Sequence, residues 1–576
     1  MLSPLSICHD VKKMVTHPQS ELYQAVPLDR PLLRIGIMLD GTNAPAWVET
    51  LLKGIRSSGF AKLSLVILNA NDPVPQPSQS RLKRFLTGQM KHALYSRYIS
   101  FDEAKHGHLV TAMHSKDISG LIAGIPQMPI KNTRQKFVDR FSDADVESVK
   151  AHELDVILRF GFNIIKGEIL QSARYGVWSY HHGDNNEYRG GPALFWEMHE
   201  RNPLSGTILQ RLNENLDGGE VIYRSFSSTE DTTWLSGNRK RTYWKATSYV
   251  WRCLRKLYLL GEQGLSPEPA QPYRKSIYRM PTNWQMLPFL ARAGWGILAA
   301  KASKKQEQWL IAYKPAVKHD GVIPGADKFI PLIPPSDRFY ADPFPIRVAD
   351  QDYIFFEELE YATGKGVISY IKIDESGCAS TPRLALSSDV HLSYPFLLEW
   401  NGEIFMIPET AQNRTVTLYR AASFPDKWEP VGDLLQDVNA ADATFIEHEG
   451  SWYMFVNISE YGGSTCDELF LFYADTPLGP WLPHALNPIK SDVRSSRPAG
   501  KIFKQDGRLI RPTQDCSKTY GYAIQFCEIS KLTRDDFKEE IVGRIDPTWL
   551  KGLTGTHTYN RSSTIETLDG KIAYRI

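Results

Sequence analysis

The second half of the chain carries a repeated pattern that restricts it to a fold made of β-sheets. Five segments, spaced roughly fifty residues apart, each contain a small or polar entry, an apolar strand, a polar turn and a second apolar strand. The regular period favours a β-propeller, because a two-sheet sandwich does not need one. We therefore predict an all-β five-bladed propeller over residues 306–576. The repeats are YADPFPIRVADQDYIFFEE, SYPFLLEWNGEIFMIPE, DATFIEHEGSWYMFVN, RPAGKIFKQDGRLIRPTQD and HTYNRSSTIETLDGKIAYRI.

Residues 33–225 show a different periodicity, in which apolar strands alternate with helices. LLRIGIMLDG, APAWVETLLKGIRSSG and KLSLVILNAND predict strand, helix and strand. The order resumes with DADVESVKAHEL, DVILRFGF, KGEILQSAR and YGVWSYHH, which predict helix, strand, short helix and strand. This alternation indicates a Rossmann-like α/β domain with a parallel sheet. We assign residues 1–32 to an N-terminal extension and residues 226–305 to a helical linker region.

Composition argues against several classes of protein. A net charge of +2 gives no reason to expect a nucleic-acid partner. Neither a secretory leader nor an apolar stretch long enough to span a bilayer is found, so we expect a cytoplasmic protein without a membrane span. The six cysteines have neither CxxC nor zinc spacing and are expected to be reduced thiols. The segment WQMLPFLARAGWGILAAKASKK is basic and amphipathic enough to touch a membrane surface, although packing between domains is the preferred interpretation.

The segment GVWSYHHGDNNEYRGGPALFWEM concentrates polar residues directly after a predicted strand. Ligands of α/β sheets bind beyond the carboxyl ends of strands, so this segment is the candidate active site. A histidine titrates near neutral pH and can act as a base, and a neighbouring carboxylate can hold its imidazole in place. His181 could be the base, Asp217 could orient its imidazole, and Asn185 and Asn186 could donate hydrogen bonds to an oxyanion. Metal binding by His181 with His182 and Asp184 is the alternative, and no metal is expected.

Residues Leu33 to Arg224 resemble the formyltransferase family that includes methionyl-tRNA formyltransferase, sugar-nucleotide N-formyltransferases and formyltetrahydrofolate hydrolase. The resemblance rests on LRFGFNIIKGEIL, the first histidine of SYHH, YRGG, SGTILQ and LDGGEVI, which occur in the family's order. It implies that His181 and Asp217 are catalytic, with Ser179 where the family has an asparagine that stabilises the formyl oxygen. It also implies 10-formyltetrahydrofolate as the donor. The implied folate-binding residues are Phe160, Gly161, Phe162, Ile164 and Ile165.

This resemblance predicts an N-formyltransferase that moves a formyl group from 10-formyltetrahydrofolate to an amino group of a sugar or glycan-like acceptor. The His181-His182 doublet and the missing asparagine favour a formyl or acyl hydrolase instead, with water in place of the amine. A non-catalytic glycan-binding protein is the third alternative. The partner would be a small amine or amino sugar, or a sugar nucleotide or glycan, and the oligomeric state is left open. The predicted substrate contacts in this domain are His182, Asp184, Asn185, Asn186 and Arg189.

The second half resembles the five-bladed propellers of arabinanase-like glycoside hydrolases and the domain attached to plant glucosamine inositolphosphorylceramide transferases. The motifs YADPF and DATF place Asp342 and Asp442 on two catalytic positions of those hydrolases, whereas Arg497 stands where their acid is expected. Arginine stays charged and cannot protonate a leaving group, so we expect carbohydrate binding without glycosidase activity unless Glu357, Glu358 or Glu409 takes the place of the acid. Mutual pairing of these charges across the channel is the alternative. The predicted sugar-binding funnel consists of Asp342, Glu409, Asp442, Arg497, Arg511, Gln514, Asp515 and His557.

Overall fold

The computed structural model describes residues 19–27, 29–71, 89–135, 137–269, 271–302, 305–316 and 323–575. It contains a mixed α/β part followed by a part made of β-sheets, which confirms the predicted fold class at that level. Five of the predicted thiols are free cysteines, while Cys8 lies outside the described residues. Within the described ranges, no helix has the length and apolar character needed to cross a membrane.

The α/β part is built on a seven-stranded sheet in the order β12-β11-β10-β8-β1-β3-β5. Strands β1, β3, β5, β8 and β10 run parallel, and β11 and β12 add an antiparallel edge beside β10. Two small sheets, β2-β4 and β6-β7-β9, lie outside it. The strands are β1 (Leu33–Leu39), β2 (Asn43–Pro45), β3 (Ala61–Asn69), β4 (Ser115–Asp117), β5 (Gln127–Ile130), β6 (Thr133–Gln135), β7 (Val138–Arg140), β8 (Val156–Arg159), β9 (Ile164–Lys166), β10 (Val177–His181), β11 (Leu204–Arg211) and β12 (Glu220–Ser228).

The helices of this part follow the apolar periodicity of the sequence. Helix α5 begins with a capping box, in which Ser142 Oγ accepts from the backbone of Asp145 at 3.2 Å and the Asp145 carboxylate accepts from the backbone of Ser142. The segment KGEILQSAR forms a 3-10 turn, Glu168–Gln171, where a short helix was predicted. The helices are α1 (Gln19–Leu22), α2 (Ala46–Ser57), α3 (Ala93–His106), α4 (Ser119–Ile122), α5 (Asp143–Lys150), α6 (Phe195–Glu200), α7 (Leu235–Leu260) and α8 (Asn283–Ala302).

Helix α7 belongs to the same hydrophobic core as the parallel sheet. It packs against α2, and Tyr249, Val250 and Leu254 are buried with Trp47 and Leu51 of that helix. Burial of several large apolar side chains contributes about 2 kcal/mol each relative to exposure, so this contact is a major source of stability. The segment predicted as a linker therefore begins with a helix that completes the core of the α/β part.

The C-terminal part consists of five antiparallel sheets, and each of the five repeated segments lies in a different sheet. The first strand of this part, β13, pairs along its whole length with the last strand, β34, so both ends of this part share one sheet. The strands are β13 (Lys305–Pro315), β14 (Ile330–Leu332), β15 (Arg338–Val348), β16 (Gln351–Glu360), β17 (Lys365–Ile373), β18 (Arg383–Leu386), β19 (Ser393–Trp400), β20 (Glu403–Glu409), β21 (Val416–Ser423), β22 (Lys427–Leu435), β23 (Ala440–His448), β24 (Ser451–Ile458), β25 (Glu468–Ala474), β26 (Leu482–Pro483), β27 (Lys490–Ser491), β28 (Phe503–Gln505), β29 (Arg508–Asp515), β30 (Ala523–Leu532), β31 (Phe537–Ile545), β32 (Leu553–Gly555), β33 (Tyr559–Arg561) and β34 (Ile565–Arg575).

Helix α7 joins the two parts through buried ion pairs. The Arg252 guanidinium donates to both carboxylate oxygens of Glu468, at 2.6 and 2.7 Å, and also contacts the Glu460 carboxylate. Two turns earlier, Lys245 Nζ lies 2.8 Å from Asp467 Oδ2. The Arg252 and Lys245 side chains are only 1% and 3% exposed. Because a lone charge is costly in such surroundings, the pairs hold the β-sheets in one position against the helix.

We expect Arg252→Met to lower the free energy of unfolding by about 3–5 kcal/mol, because Glu468 and Glu460 would stay buried without their cation. Denaturant titration followed by circular dichroism measures the change. Arg241→Met on the same helix is the control, since its pair with Glu230 is exposed and should contribute less than about 1 kcal/mol. Equal losses for the two variants would contradict the role of Arg252 in joining the two parts.

Candidate functional site

The structure brings the three predicted catalytic residues of the α/β part together. Ser179 and His181 lie on β10, and His181 Nδ1 is 3.5 Å from Asp217 Oδ1. The other imidazole nitrogen, Nε2, lies 2.7 Å from the carbonyl oxygen of Tyr188. Both nitrogens of this buried histidine are thus within reach of protein acceptors.

Arg159 is a member of this cluster that the sequence analysis missed. It ends β8, the neighbour of β10, and its Nη1 donates to Ser179 Oγ at 2.9 Å. Its Nε and Nη2 donate to the carbonyl oxygen of Asn163 at 3.1 and 2.7 Å. Burial lowers the pKa of Arg159, although Asp217 opposes that shift. The strand pairing could have indicated this contact, because Arg159 and Ser179 are register partners in the parallel sheet.

Hydrogen bonds to β12 and to the segment before it hold the loop that follows β10. The Arg224 guanidinium donates to Asp184 Oδ1 at 2.5 Å and to Asn185 Oδ1 at 3.2 Å. Asn185 also donates to the carbonyl oxygen of Asp217 at 3.2 Å, and Arg189 donates to the carbonyl oxygen of Asn185 at 2.8 Å. These contacts stabilise the loop. Asn186, in contrast, is exposed.

His182 packs among aromatic rings, with its ring centroid 4.2 Å from Tyr243 and 6.0 Å from Trp47. Burial is the main cause that lowers the pKa of His182 to about 3, so its imidazole is neutral at physiological pH. His182 is therefore part of an aromatic cluster and does not form a metal site with Asp184.

The segment predicted to bind folate is largely structural. Phe162 and Ile165 belong to a hydrophobic core cluster, and a Cβ on Gly161 would lie 2.5 Å from the backbone nitrogen of Asp40. Phe160 packs against Trp47 with ring centroids 5.7 Å apart. Ile164 lies in β9 and is half-buried.

A larger polar cluster lies in the β-sheet part, and we call it the polar centre. Three of its surrounding strands, β15, β19 and β23, carry the same irregularity: Asp342, Tyr394 and Asp442 have φ values of 53, 45 and 55° and interrupt the strand register. Such bulges redirect a side chain out of the regular pleat. The polar centre consists of Asp342, Glu357, His391, Glu409, Asp442, Arg497, Gln514, Tyr520, His557 and Asp569.

Arg497 connects two carboxylates of the polar centre. Its Nε lies 2.6 Å from Asp442 Oδ2, and its Nη2 lies 3.3 Å from Glu409 Oε2. Gln514 Nε2 donates to the same oxygen of Asp442 at 2.8 Å. The Tyr520 ring centroid is 5.0 Å from the Arg497 guanidinium carbon, and the Tyr520 side chain is 43% exposed. The exposed tyrosine therefore lies on the solvent side of the Arg497 cluster.

His557 connects two further carboxylates. Its Nδ1 lies 2.5 Å from Asp569 Oδ2, and its Nε2 lies 3.5 Å from Asp342 Oδ1. The ring stacks on Trp309, with centroids 4.1 Å apart. Within the described residues, Asp342, His557 and Asp569 form the group of side chains whose spacing could hold a metal ion. Asp569 Oδ1 also accepts from the backbone nitrogens of His557 and Thr558 at 2.7 and 3.0 Å.

The polar centre holds more carboxylates than cations. Burial raises the pKa of Asp342 to about 7 and that of Glu409 to about 8. Burial disfavours protonation of His391 and His557, but Glu357 beside His391 and Asp569 beside His557 outweigh it and raise both pKa values to about 9. Near neutral pH the two histidines are therefore charged, while Glu409 largely keeps its proton.

Two predicted funnel residues point elsewhere, and four members of the polar centre lie outside the predicted funnel. Arg511 pairs with Glu539 at 2.6 Å, and Asp515 pairs with Arg544 at 2.6 Å. The four additional members are Glu357, His391, Tyr520 and Asp569. No local motif distinguishes His391 or Tyr520, since both lie in turns between strands.

A separate cavity of about 910 Å³ lies next to the amino ends of β8 and β10, away from both clusters. Its lining includes Lys150, Asp155, Arg174, Arg211 and Glu214. Side chains of both signs alternate there, so its charge does not select a class of ligand.

We expect the melting temperature to fall by about 5 °C between pH 7 and pH 9. The folded state binds more protons than the unfolded state there, because the pKa values of His391, His557 and Glu409 lie above their ordinary values. These three groups stabilise the folded state fully when the pH is below their pKa values in the unfolded chain. That stabilisation is lost as the pH rises through their pKa values in the folded protein. Scanning calorimetry measures the shift, and His391→Gln should reduce it. A rise in melting temperature over this interval would contradict these charge states.

Comparison with known proteins gives a family match in the β-sheet part. Residues 332–556, less than half of the chain, match the family model "Glucosamine inositolphosphorylceramide transferase 1, N-terminal". The curated relatives include the glucosamine inositolphosphorylceramide transferase 1 proteins of Oryza sativa subsp. japonica and Arabidopsis thaliana, each 36% identical over 206 residues. That alignment covers 35% of this chain and 28% and 27% of the two relatives. The chain thus spans little more than a quarter of the length of these relatives.

Solved structures similar to this chain include glycinamide ribonucleotide transformylase 1 from Symbiobacterium toebii, with 12% identity, a TM-score of 0.27 and coverage of 39% of this chain and 88% of that chain. They also include a family 117 glycoside hydrolase from Zobellia galactanivorans, with 15% identity, a TM-score of 0.30 and coverage of 46% and 90%.

The relatives correct the predicted activity. They are named transferases, which supports an enzyme, but their name contains glucosamine and inositolphosphorylceramide and no formyl group or folate. The predictions of an N-formyltransferase and of 10-formyltetrahydrofolate as donor are therefore wrong. The geometry is consistent with this correction, because Phe162 and Ile165, which were predicted to bind folate, lie in a hydrophobic core.

Proposed function

We propose that this chain is the sugar-recognition part of a transferase that handles a glucosamine-bearing, inositol phosphate-containing lipid or glycan, and that the polar centre binds the amino sugar. The excess of carboxylates over cations in the polar centre carries this proposal. Three cations, His391, Arg497 and His557, face five carboxylates among the described residues. Burial together with this excess leaves protons on Glu409 and Asp342, and a ligand that brings an ammonium group can replace that positive charge.

The protonation of the polar centre supports a cationic ligand. Glu409 shares Arg497 with Asp442, and Asp342 shares His557 with Asp569. Burial raises the pKa values of Glu409 and Asp342 because the existing cations do not fully compensate them. An ammonium group near these carboxylates would favour their ionised forms and lower their pKa values.

The remaining groups suit the rest of a sugar. The carboxyl groups of Glu409 and Asp442 have further lone pairs that can accept from a ring that carries several hydroxyls. Tyr520 offers a partly exposed aromatic face next to both Arg497 and His557, with its ring centroid 5.5 Å from the His557 ring. Such a face suits the apolar side of a sugar ring.

We further infer that the five sheets are blades of a propeller around the polar centre. This inference is supported by contacts between the first strands of successive sheets. Strand β13 contacts β15, β15 contacts β19, and β19 contacts β23. The pairing of β13 with β34 would close the ring. Ser179, His181 and Asp217 are retained as proposed functional residues of the α/β part, with no reaction assigned to them.

The proposal predicts that glucosamine binds about tenfold more tightly than N-acetylglucosamine, which has the same ring without the charge; that ratio corresponds to about 1.4 kcal/mol. Isothermal titration calorimetry of the full chain measures both affinities. Glu409→Gln should reduce the preference to about twofold or less, because a neutral amide cannot gain charge near the ammonium group.

Glu403→Gln is the matched control, because Glu403 lies at the opposite end of β20 and forms an exposed pair with Arg420. It should leave the preference unchanged, as should Asp217→Asn in the α/β part. Equal binding of the two sugars, or a preference for the neutral one, would contradict an amino-sugar site in the polar centre.

A further inference from the structure

Helix α8 has two apolar faces on opposite sides, and the protein covers one of them. Met286 and Phe289 are buried, and the Phe289 ring lies 5.3 and 5.4 Å from the rings of Tyr98 and Phe195. This inner face attaches the first half of the helix to the α/β part. The protein therefore covers only this inner face of α8.

The outer face exposes large apolar side chains in a single line. Trp284, Trp295 and Leu298 are 82%, 74% and 63% exposed, and Leu287 and Ala291 are also exposed. At about 100° per residue, these five positions fall within roughly 80° of the helix circumference. We call this line the tryptophan stripe. It extends over about 20 Å of helix at 1.5 Å per residue.

We propose that the tryptophan stripe docks this protein onto the surface of an anionic phospholipid bilayer, with α8 lying in the plane of the interface. Tryptophan prefers the boundary between headgroups and acyl chains, and a helix that rests there buries one apolar face at that depth. The proposal is independent of the ligand assigned to the polar centre.

Charge favours this occupant over a second copy of the chain. The sequence of α8 contains Arg292 and Lys301 and has no acidic residue. Two such helices placed face to face would bring like charges together without carboxylates on α8 to pair with them. Anionic headgroups complement the net positive charge of this segment.

The stripe also extends along the half of α8 that the inner face does not hold. The inner face holds the helix near its beginning, through Met286 and Phe289, whereas the second half carries Trp295 and Leu298 on its exposed side. The ion pairs at Lys245 and Arg252 are formed by α7, whereas α8 contacts α3, so docking through the stripe leaves those ion pairs in place.

Flotation with vesicles tests the proposal. The full chain should float with phosphatidylcholine vesicles that contain phosphatidylserine, and less with phosphatidylcholine alone or at high salt. The double variant Trp284→Ser and Trp295→Ser should lower the partition coefficient about tenfold or more. Both side chains are largely exposed, so the fold should be retained, and circular dichroism verifies this.

The control is the double variant Leu482→Ser and Ile541→Ser, which removes two side chains of 50% exposure from outer strands of the β-sheets. It should float like the wild type. Quenching of tryptophan fluorescence by lipids brominated in the acyl chain should fall in the Trp284 and Trp295 variant and stay unchanged in the control.

Two results would overturn the proposal. One is equal flotation of the wild type and the tryptophan variant. The other is a concentration-dependent dimer, measured by analytical ultracentrifugation without lipid, that the tryptophan variant abolishes. That dimer would show that a second copy covers the stripe.

Discussion

The buried ion pairs between α7 and the β-sheets determine how the two parts of this protein sit together. Arg252 reaches Glu468 and Glu460 from a helix whose other residues complete the α/β core. One helix therefore belongs to two environments, an apolar one on the α/β side and an ionic one on the β side. Breaking the pairs leaves buried carboxylates without a partner, so the cost of separating the parts is electrostatic.

The polar centre depends on a residue with positive φ at a shift in strand register, and this feature recurs in three of the sheets. Asp342 and Asp442 both occupy left-handed conformations at a register shift, and Tyr394 repeats the feature between them. Left-handed backbone is unfavourable for these residue types, so their persistence requires support from neighbours. The hydrogen bonds from Thr558 and Tyr394 to Asp342, and from Gln514 to Asp442, supply that support.

Much of the fold could be predicted from the sequence, because burial imposes a period on apolar residues. The runs that became β1, β3, β8 and β10 are nearly continuous in apolar residues, as expected for strands covered on both sides. The five repeats each fell in a separate sheet. The role of α7 could not be predicted, since the partners of Arg252 lie 208 and 216 residues away in sequence.

The candidate sites were predicted less completely than the fold. Asp342, Asp442 and Arg497 occupy positions of sequence motifs and meet in the polar centre. His391 and Tyr520 reach it only through the tertiary arrangement of their turns. The activity was predicted wrongly, because the motif around His181 shows which residues cluster and not what they act on. His181 and Asp217 do lie 3.5 Å apart, but this geometry alone does not define a reaction.

The polar centre, as we propose it, contains carboxyl groups that give up a proton when a cationic sugar binds. Calorimetric titration of glucosamine at pH 7, repeated in buffers of different ionisation enthalpy, counts the protons exchanged on binding. We expect the release of up to about one proton for each sugar bound, because the ammonium group lowers the pKa values of Glu409 and Asp342. Binding with no proton exchange, or with proton uptake, would contradict this role of the carboxyl groups.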